Sequence, residues 1–445
     1  TYGYLEIDVS SPASAFPSGK TWYNHVFINQ ASYSIPSLTM VDNDLYVDQN
    51  ASLGGNLTLS GSGVVFIGDN SNARTLTCGT NTIAFNGSGC RVESIASGCE
   101  VNTTATTPFS GTVEFTDGVV VDFASTSAQN VPGGTYRGGI TISNGTSYSN
   151  RKSATGALSM GNALTIETNN YFHAESNAIS EYDSGSIPLT ISGDGYFYTA
   201  HLGGDPVPAD KDWSSLTQFR YENNAERVMG GTYSRLALSG IGNNHITQGN
   251  VTCTEFFTIN EDLEVAPGTY ITGTTLDRSS NGSGEVILQA SASGYGQAHF
   301  TAKSGTQVMT KQYYLDVSSA RWFHLSTTFP GADFQDLNDG NILVSASNNT
   351  GTVWKWNSDI AEWEAGDLTS NDPAAGQTVF AGTTSDGTFL LGSSGTVDLT
   401  ASDINVADQT IALNYDDGSS SNATFTTGDK TGWNFIANPF TANYD

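Results

Sequence analysis

The sequence predicts an all-β protein: a right-handed parallel β-helix over residues 1–305, followed by a β-sandwich module over residues 306–445. Three observations predict it. A nine-residue phrase recurs in the first part of the chain. Short alternating apolar runs follow one another with turn-formers between them and no helical period. Near Gln307 the texture changes, and Trp322, Trp354, Trp356, Trp363 and Trp433 all lie beyond that point, as a compact sandwich core would require.

The phrase is Ala-Gln-Asn-Val-Pro-Gly-Gly-Thr-Tyr at residues 128–136 and Ala-Glu-Arg-Val-Met-Gly-Gly-Thr-Tyr at residues 225–233. A short alternating strand follows each tyrosine, with Ile140 and Ile142 on one face in the first copy and Leu236 and Leu238 in the second. Paired glycines before a strand predict a corner that needs either positive φ or close backbone approach. A looser copy, Phe16-Pro17-Ser18-Gly19-Lys20-Thr21-Trp22, precedes Val26 and Ile28 at the offsets of Ile140 and Ile142. The opening Thr1-Tyr2-Gly3-Tyr4-Leu5-Glu6-Ile7 enters the phrase partway, with the expectation of a longer parent chain or a neighbour that completes the repeat.

Taken in order, the first strands expected are 38–40, 45–47, 57–59, 64–67 and 83–85. They are separated by Asp42-Asn43, Gly54-Gly55, Gly61-Ser62-Gly63 and Gly87-Ser88-Gly89. Strands this short, with no helix between them, fit successive faces of a coil that advances about one strand spacing, ~4.8 Å. Residues 113–115, 119–123, 156–158 and 164–166 continue the plan, and Gly249-Asn250-Val251-Thr252-Cys253 echoes Gly55-Asn56-Leu57-Thr58-Leu59. Residues 201–213 break the rhythm with two prolines and several charges, and read as a loop inserted on one face. The linker to the sandwich is expected at 304–310, and residues 388–391 read as one of its longer strands.

Acids outnumber bases 44 to 16, for a formal charge of −28. That balance repels phosphate backbones and anionic lipid heads, which argues against nucleic-acid and membrane-surface partners. It suits solubility, cations and a saline or extracellular setting. No apolar run of about 18 residues is present, so membrane insertion through a helix is not expected. Asn-x-Ser/Thr triplets at Asn50, Asn56, Asn86, Asn144 and Asn250 read as turn and ladder residues in a bacterial protein and as glycan acceptors in a eukaryotic one.

Candidate chemistry is sparse. The spacing of Cys78 and Cys99 is close to one coil, which suggests a stacked disulfide; Cys90 with Cys99 is a second pairing, and buried thiols a third outcome. Asp42, Asp44 and Asp48 cluster in one turn and Asp333, Asp336 and Asp339 in another, oxygen-rich sets that make calcium a candidate where no cofactor is otherwise expected; Asp416-Asp417-Gly418 is a third such turn. Ordinary turn-forming aspartate is the competing reading for each. Asp205, Asp210, Lys211 and Asp212, with His201 near in sequence, form the one group resembling an acid–base set on a β-helix. Solvated loop charges compete with it. The six histidines are scattered, and no nucleophile elbow, phosphate loop or His-Glu-x-x-His is present. Trp354 and Trp356 fall on one face of their strand and, with Trp363, offer rings to a sugar or to a core.

The Gly-Thr-Tyr phrase with its Leu-alternating strand at residues 231–239, and Gly-Asn-Leu-Thr-Leu at 55–59, resemble stalk repeats of type IX-secreted surface proteins and giant adhesins of Bacteroidota. The C-terminal third is similar to a module of the same proteins, on Arg321-Trp322-Phe323-His324-Leu325, Trp354-Lys355-Trp356 and Gly432-Trp433-Asn434-Phe435. The resemblance implies a cell-surface location, an adhesin stalk or filament subunit, and self-association or adjoining segments of a longer chain as partners. Surface glycans are a further partner expectation. It implies no catalytic and no cofactor-binding residue. A polysaccharide-binding or polysaccharide-degrading β-helix is the alternative. A recognisable sorting domain after Asp445 is missing from the pattern.

Overall fold

A computed structural model of the chain describes residues 4–8, 17–183, 186, 188–223, 226–240, 244–278 and 284–315, and the backbone of strands Arg321–Leu325, Val353–Asn357, Glu362–Ala365, Gln377–Ala381 and Gly395–Ala401. Among the described residues there is no α-helix, and one 3-10 turn at Tyr148–Asn150. The strands form a parallel β-solenoid, and the chain divides into two compact units, residues 1–236 and 237–445.

In the first unit three ladders run from coil to coil. One joins Leu5–Ile7, Val26–Ile28, Leu45–Val47, Val64–Ile67, Arg91–Ser94, Val113–Phe115, Gly134–Tyr136, Leu158–Met160 and Ile179–Glu181. A second begins with Tyr33–Ile35, Ala51–Leu53, Thr75–Gly79 and Cys99–Thr103 and ends at Thr190–Gly193. The third face is built first by strands from Lys20–Trp22 to Phe109–Gly111, then by a separate sheet that starts with Gln129–Val131, Lys152–Ala154, Tyr171–His173, Tyr196–Thr199 and Gln218–Tyr221.

Period-two alternation sets the interior. Val26 and Ile28 are fully buried while Phe27 between them faces out, and Leu45, Val47, Leu57, Leu59, Val65 and Ile67 repeat the pattern. Each such side chain contributes about 1.5–3 kcal/mol on leaving water. Where the chain supplies rings, the interior becomes aromatic: Phe172, Phe197, Trp213, Phe219, Tyr221 and Tyr233 are all buried. Phe197 and Trp213 lie 4.7 and 4.8 Å from Phe219 between ring centroids.

The recurring phrase is a corner with the same bonding in both copies. The Tyr136 hydroxyl donates to Pro132 O at 2.8 Å and the Tyr233 hydroxyl to Met229 O at 2.7 Å, each reaching back to the residue just before the glycine pair. A Cβ on Gly134 would stand 2.5 Å from Val113 O, and one on Gly231 would stand 2.5 Å from Lys211 O, so the preceding coil's backbone excludes any side chain there. Ile140, Ile142, Leu236 and Leu238 are buried as the alternation requires, and so are Val26 and Ile28 after the looser copy.

Two expectations are corrected. Cys78 and Cys99 form no disulfide: both are buried free thiols, as are Cys90 and Cys253. The coil at this point is longer than the cysteine spacing, because Leu76 stands opposite Val101; Cys78 therefore falls beside Asn102 and Thr103 while Cys99 stacks on Val119. Burial pushes the Cys78 thiol up to about 12. Residues 201–213 are likewise not wholly a loop, because Lys211–Trp213 is a strand paired in parallel with Gly231–Leu238 and Trp213 is fully buried.

In the second unit, Val251–Ile259, Tyr270–Asp277 and Gln297–Ser304 form one parallel ladder, and His245–Thr247, Leu263–Val265, Val286–Leu288 and Met309–Leu315 another. The parallel pairing therefore continues past residue 305 and through the expected linker. Met309–Leu315 also pairs antiparallel with Gly395–Ala401. Arg321–Leu325, Gln377–Ala381, Val353–Asn357 and Glu362–Ala365 form a four-stranded antiparallel sheet in that order. Residues 388–391 and Trp433 lie outside the described residues.

Candidate functional surface

With the interior lined mainly by apolar side chains, most of the polar chemistry lies on turns and outer faces. Much of it is directed to the neighbouring coil. Asp42 Oδ1 accepts the Ser62 N–H at 3.1 Å, Asp44 Oδ1 the Val64 N–H at 3.2 Å, Asn50 Oδ1 the Thr75 N–H at 2.9 Å and Asn56 Oδ1 the Thr82 N–H at 3.1 Å. Other asparagines reach the other way: the amides of Asn81, Asn162, Asn177 and Asn223 donate to Leu53 O, Gly138 O, Ala154 O and Ala200 O, one coil earlier, at 2.6–3.2 Å. Turn residues cannot use the strand ladder, and a short Asx side chain can bond the next turn's backbone instead. In the second unit Asn250 Oδ1 accepts the Tyr270 N–H at 3.2 Å and Asp262 Oδ1 the Glu285 N–H at 2.9 Å. Three of the Asn-x-Ser/Thr asparagines, Asn50, Asn56 and Asn250, thus hold the next coil.

These bonds decide what the Asp42 turn offers a cation. Asp42 and Asp44 each have an oxygen engaged by a backbone N–H, and Asp44 Oδ2 lies 3.3 Å from His25 Nδ1. Burial holds the Asp48 carboxyl above the usual range, with Asp69 and Glu6 adding repulsion against the pull of Arg74. Among the described residues, no group of three His, Cys, Asp or Glu side chains is gathered as a metal ion would need. Asp333, Asp336 and Asp339, and likewise Asp416 and Asp417, lie outside the described residues.

The charges at 201–213 are not brought together as an acid–base set. Asp205 bonds Arg227 Nη1 at 2.9 Å, Lys211 bonds Glu181 at 2.5 Å, and Asp212 Oδ1 accepts the Ser214 N–H and hydroxyl. Asp210 is exposed in a left-handed turn at φ 57°, and His201 Nδ1 lies 2.8 Å from Ser176 O.

A different surface gathers more chemistry. On the outer face of Tyr171–His173, Tyr196–Thr199 and Gln218–Tyr221, the rings of Tyr171 and Tyr196 stack at 4.5 Å and 7°. Tyr148, on the 3-10 turn, meets Tyr171 at 5.8 Å and Tyr198 at 5.5 Å, both edge to face. The Arg151 guanidinium sits over the Tyr148 ring at 4.7 Å and that of Arg220 over Tyr198 at 5.9 Å. His173 Nδ1 accepts the Glu175 N–H at 2.8 Å, so Nε2 carries the proton and donates to Glu222 at 2.8 Å. That hydrogen bond, with help from Arg220, holds the Glu222 carboxyl below its usual range against the effect of burial. Burial raises the Tyr198 phenol.

Two buried ionisable groups lie deeper. Lys152 Nζ donates to Ser125 O, to Ser127 O at 3.1 Å and to Asn150 O at 3.4 Å, and burial pulls its ammonium down to about 8. Glu226 is 1% exposed; its Oε2 accepts the Asn223 N–H at 2.9 Å, its Oε1 is buried without a partner among the described residues, and burial pushes it up to about 8.

The tyrosine surface was missed by sequence reasoning. Its signal is the phrase Tyr171-Phe172-His173, which returns one coil later as Tyr196-Phe197-Tyr198. Compared with protein-family models, curated proteins and solved structures, the chain matches none of them.

Proposed function

We propose that the protein is a secreted, extracellular or cell-surface structural element, an adhesin stalk or filament subunit without catalytic activity. In this reading a right-handed parallel β-helix is followed by a C-terminal β-sandwich module, and the partners are second copies or adjoining segments of a longer chain. One observation carries it: the turn carboxylates and amides that would supply a site's chemistry are hydrogen-bonded to the backbone of the neighbouring coil. Such an arrangement joins adjacent coils by several bonds that bear load together. Backbone ladders alone leave the turns free to peel; the Asp and Asn bonds close them. The acidic composition, 44 acids against 16 bases, suits a surface that must stay soluble in salt. Among the described residues, no helix is long and apolar enough to cross a membrane.

Single-molecule pulling on the full chain tests the proposal. The expected trace is a series of small, regular steps, each releasing about one coil, at forces high for a protein of this size. A single low-force rupture of the parallel coils would overturn it. Polysaccharide binding is a second reading, favoured by the tyrosine surface of Tyr148, Tyr171 and Tyr196.

A further inference from the structure

We propose that the outer surface formed by Tyr148, Arg151, Tyr171, Tyr196, Arg220 and Glu222 is a binding site for a neutral saccharide chain. The proposal rests on the polysaccharide-binding reading alone, and its failure would leave the structural role untouched.

The first argument is the mixture of groups. A sugar presents apolar C–H faces and a rim of hydroxyls that both donate and accept. It is therefore recognised by rings set among paired donors and acceptors. Here Tyr171 stacks on Tyr196 and meets Tyr148 edge to face, over the buried ring of Tyr198, and the Arg151 and Arg220 guanidinium groups lie 4.7 and 5.9 Å from the Tyr148 and Tyr198 ring centroids. The carboxylates of Glu175 and Glu222 stand beside them, 3.9 Å from Arg151 Nε and 3.4 Å from Arg220 Nε.

The second argument is exposure. Arg151, whose ion pair with Glu175 is long at 3.9 Å, keeps its side chain 34% exposed. The Tyr148 ring beneath it is 41% exposed, one of the few large rings so placed. His173 completes the site as a positioning residue, because its fixed tautomer holds Glu222 in place on the outer face.

The third argument chooses the ligand's charge. The surface carries two guanidinium groups against two carboxylates, a local balance, on a chain with a formal charge of −28. A polyuronate would meet long-range repulsion and find no excess positive charge, whereas a neutral chain meets neither obstacle. Successive coils place equivalent residues ~4.8 Å apart, about the length of one sugar ring. Tyr171 and Tyr196 follow that spacing at 4.5 Å. A linear chain lying along the coil axis would therefore keep step with the side chains.

Titration calorimetry on the full chain with cellohexaose, xylohexaose and mannohexaose, and with hexagalacturonate as the charged probe, tests this. At least one neutral hexasaccharide is expected to bind, with affinity little changed by salt. Tyr148→Ala and Arg151→Gln should each weaken it about tenfold, while Tyr182→Ala, an equally exposed tyrosine under an arginine on another face, should leave it unchanged. Thermal unfolding of each variant controls for folding. If Tyr148→Ala does not fold, Arg151→Gln alone decides. Binding of no neutral probe, binding of hexagalacturonate alone, equal loss in Tyr182→Ala, or full affinity in Arg151→Gln would each overturn the proposal.

Discussion

Two stretches of the first unit solve the same packing problem differently. Over residues 38–67 the coils are short: the ladder register steps from Leu38 to Leu57 and from Leu45 to Val65. Their interior is aliphatic, and the rings of Phe27, Tyr46 and Phe66 are placed outside, stacked at 4.4 and 5.0 Å. Over residues 171–233 rings also fill the interior and the coils vary in length, with the register stepping from Tyr171 to Tyr196, from there to Gln218, and from Lys211 to Gly231. A ring fills more of the cross-section than a leucine does. Rings with hydroxyls also need partners, which is why Tyr221 and Tyr233 both bond the Met229 backbone. Coil length does not follow ring content alone: the steps from Trp213 to Tyr233 and from Phe123 to Ile142 are as short as those of the aliphatic stretch, while the step from Ala51 to Leu76 is long without a ring inside.

The comparison breaks most sharply in the interior. Phe219→Ala should cost about 4 kcal/mol and Leu59→Ala about 3 kcal/mol, read from urea unfolding. A smaller loss at Phe219 would mean that the aromatic coils collapse around cavities and are not tightly packed. Next in size is pH. The folded-state pKa of Glu226 is raised from 4.5 to about 8, so between those values the folded protein holds a proton that the unfolded chain releases. Stability should therefore fall as pH rises through that window, by about 1.4 kcal/mol per pH unit at its centre, and this contribution should be level below it. Glu226→Gln should remove the slope; urea midpoints at both ends of the window check it. In the aliphatic coils burial also raises the Asp48 carboxyl, so a slope of the same sign there should vanish in Asp48→Asn. Smallest is the coil-to-coil amide: Asn56→Ala should cost about 1 kcal/mol, visible as faster hydrogen exchange at Thr82, whose N–H it releases.

Alternation was legible wherever an apolar residue flanks each side of a polar one, as in Leu45-Tyr46-Val47 or Val113-Glu114-Phe115. The corner at residues 131–136 was legible because two glycines and a tyrosine leave few geometries, and its copy repeats the same hydroxyl bond. Coil length was not legible, since turns vary without altering strand pattern. That single unknown displaced Cys78 from Cys99 and hid the meeting of Tyr148 with Tyr171 and Tyr198, which depends on which residues stack. The Asp42 turn reads identically in sequence whether its oxygens face a cation or the Ser62 and Val64 backbone. Lys211–Trp213 was hidden by the prolines and charges around it, and only its pairing with Gly231–Leu238 marks it as a strand.

The Asp and Asn bonds between turns each reach one coil and no further. A gene that duplicates or deletes one coil's worth of codons therefore disturbs a single junction and leaves every other in register. For such a protein, length is a trait that selection can lengthen or shorten without redesigning the fold, as a chain gains links without new forging.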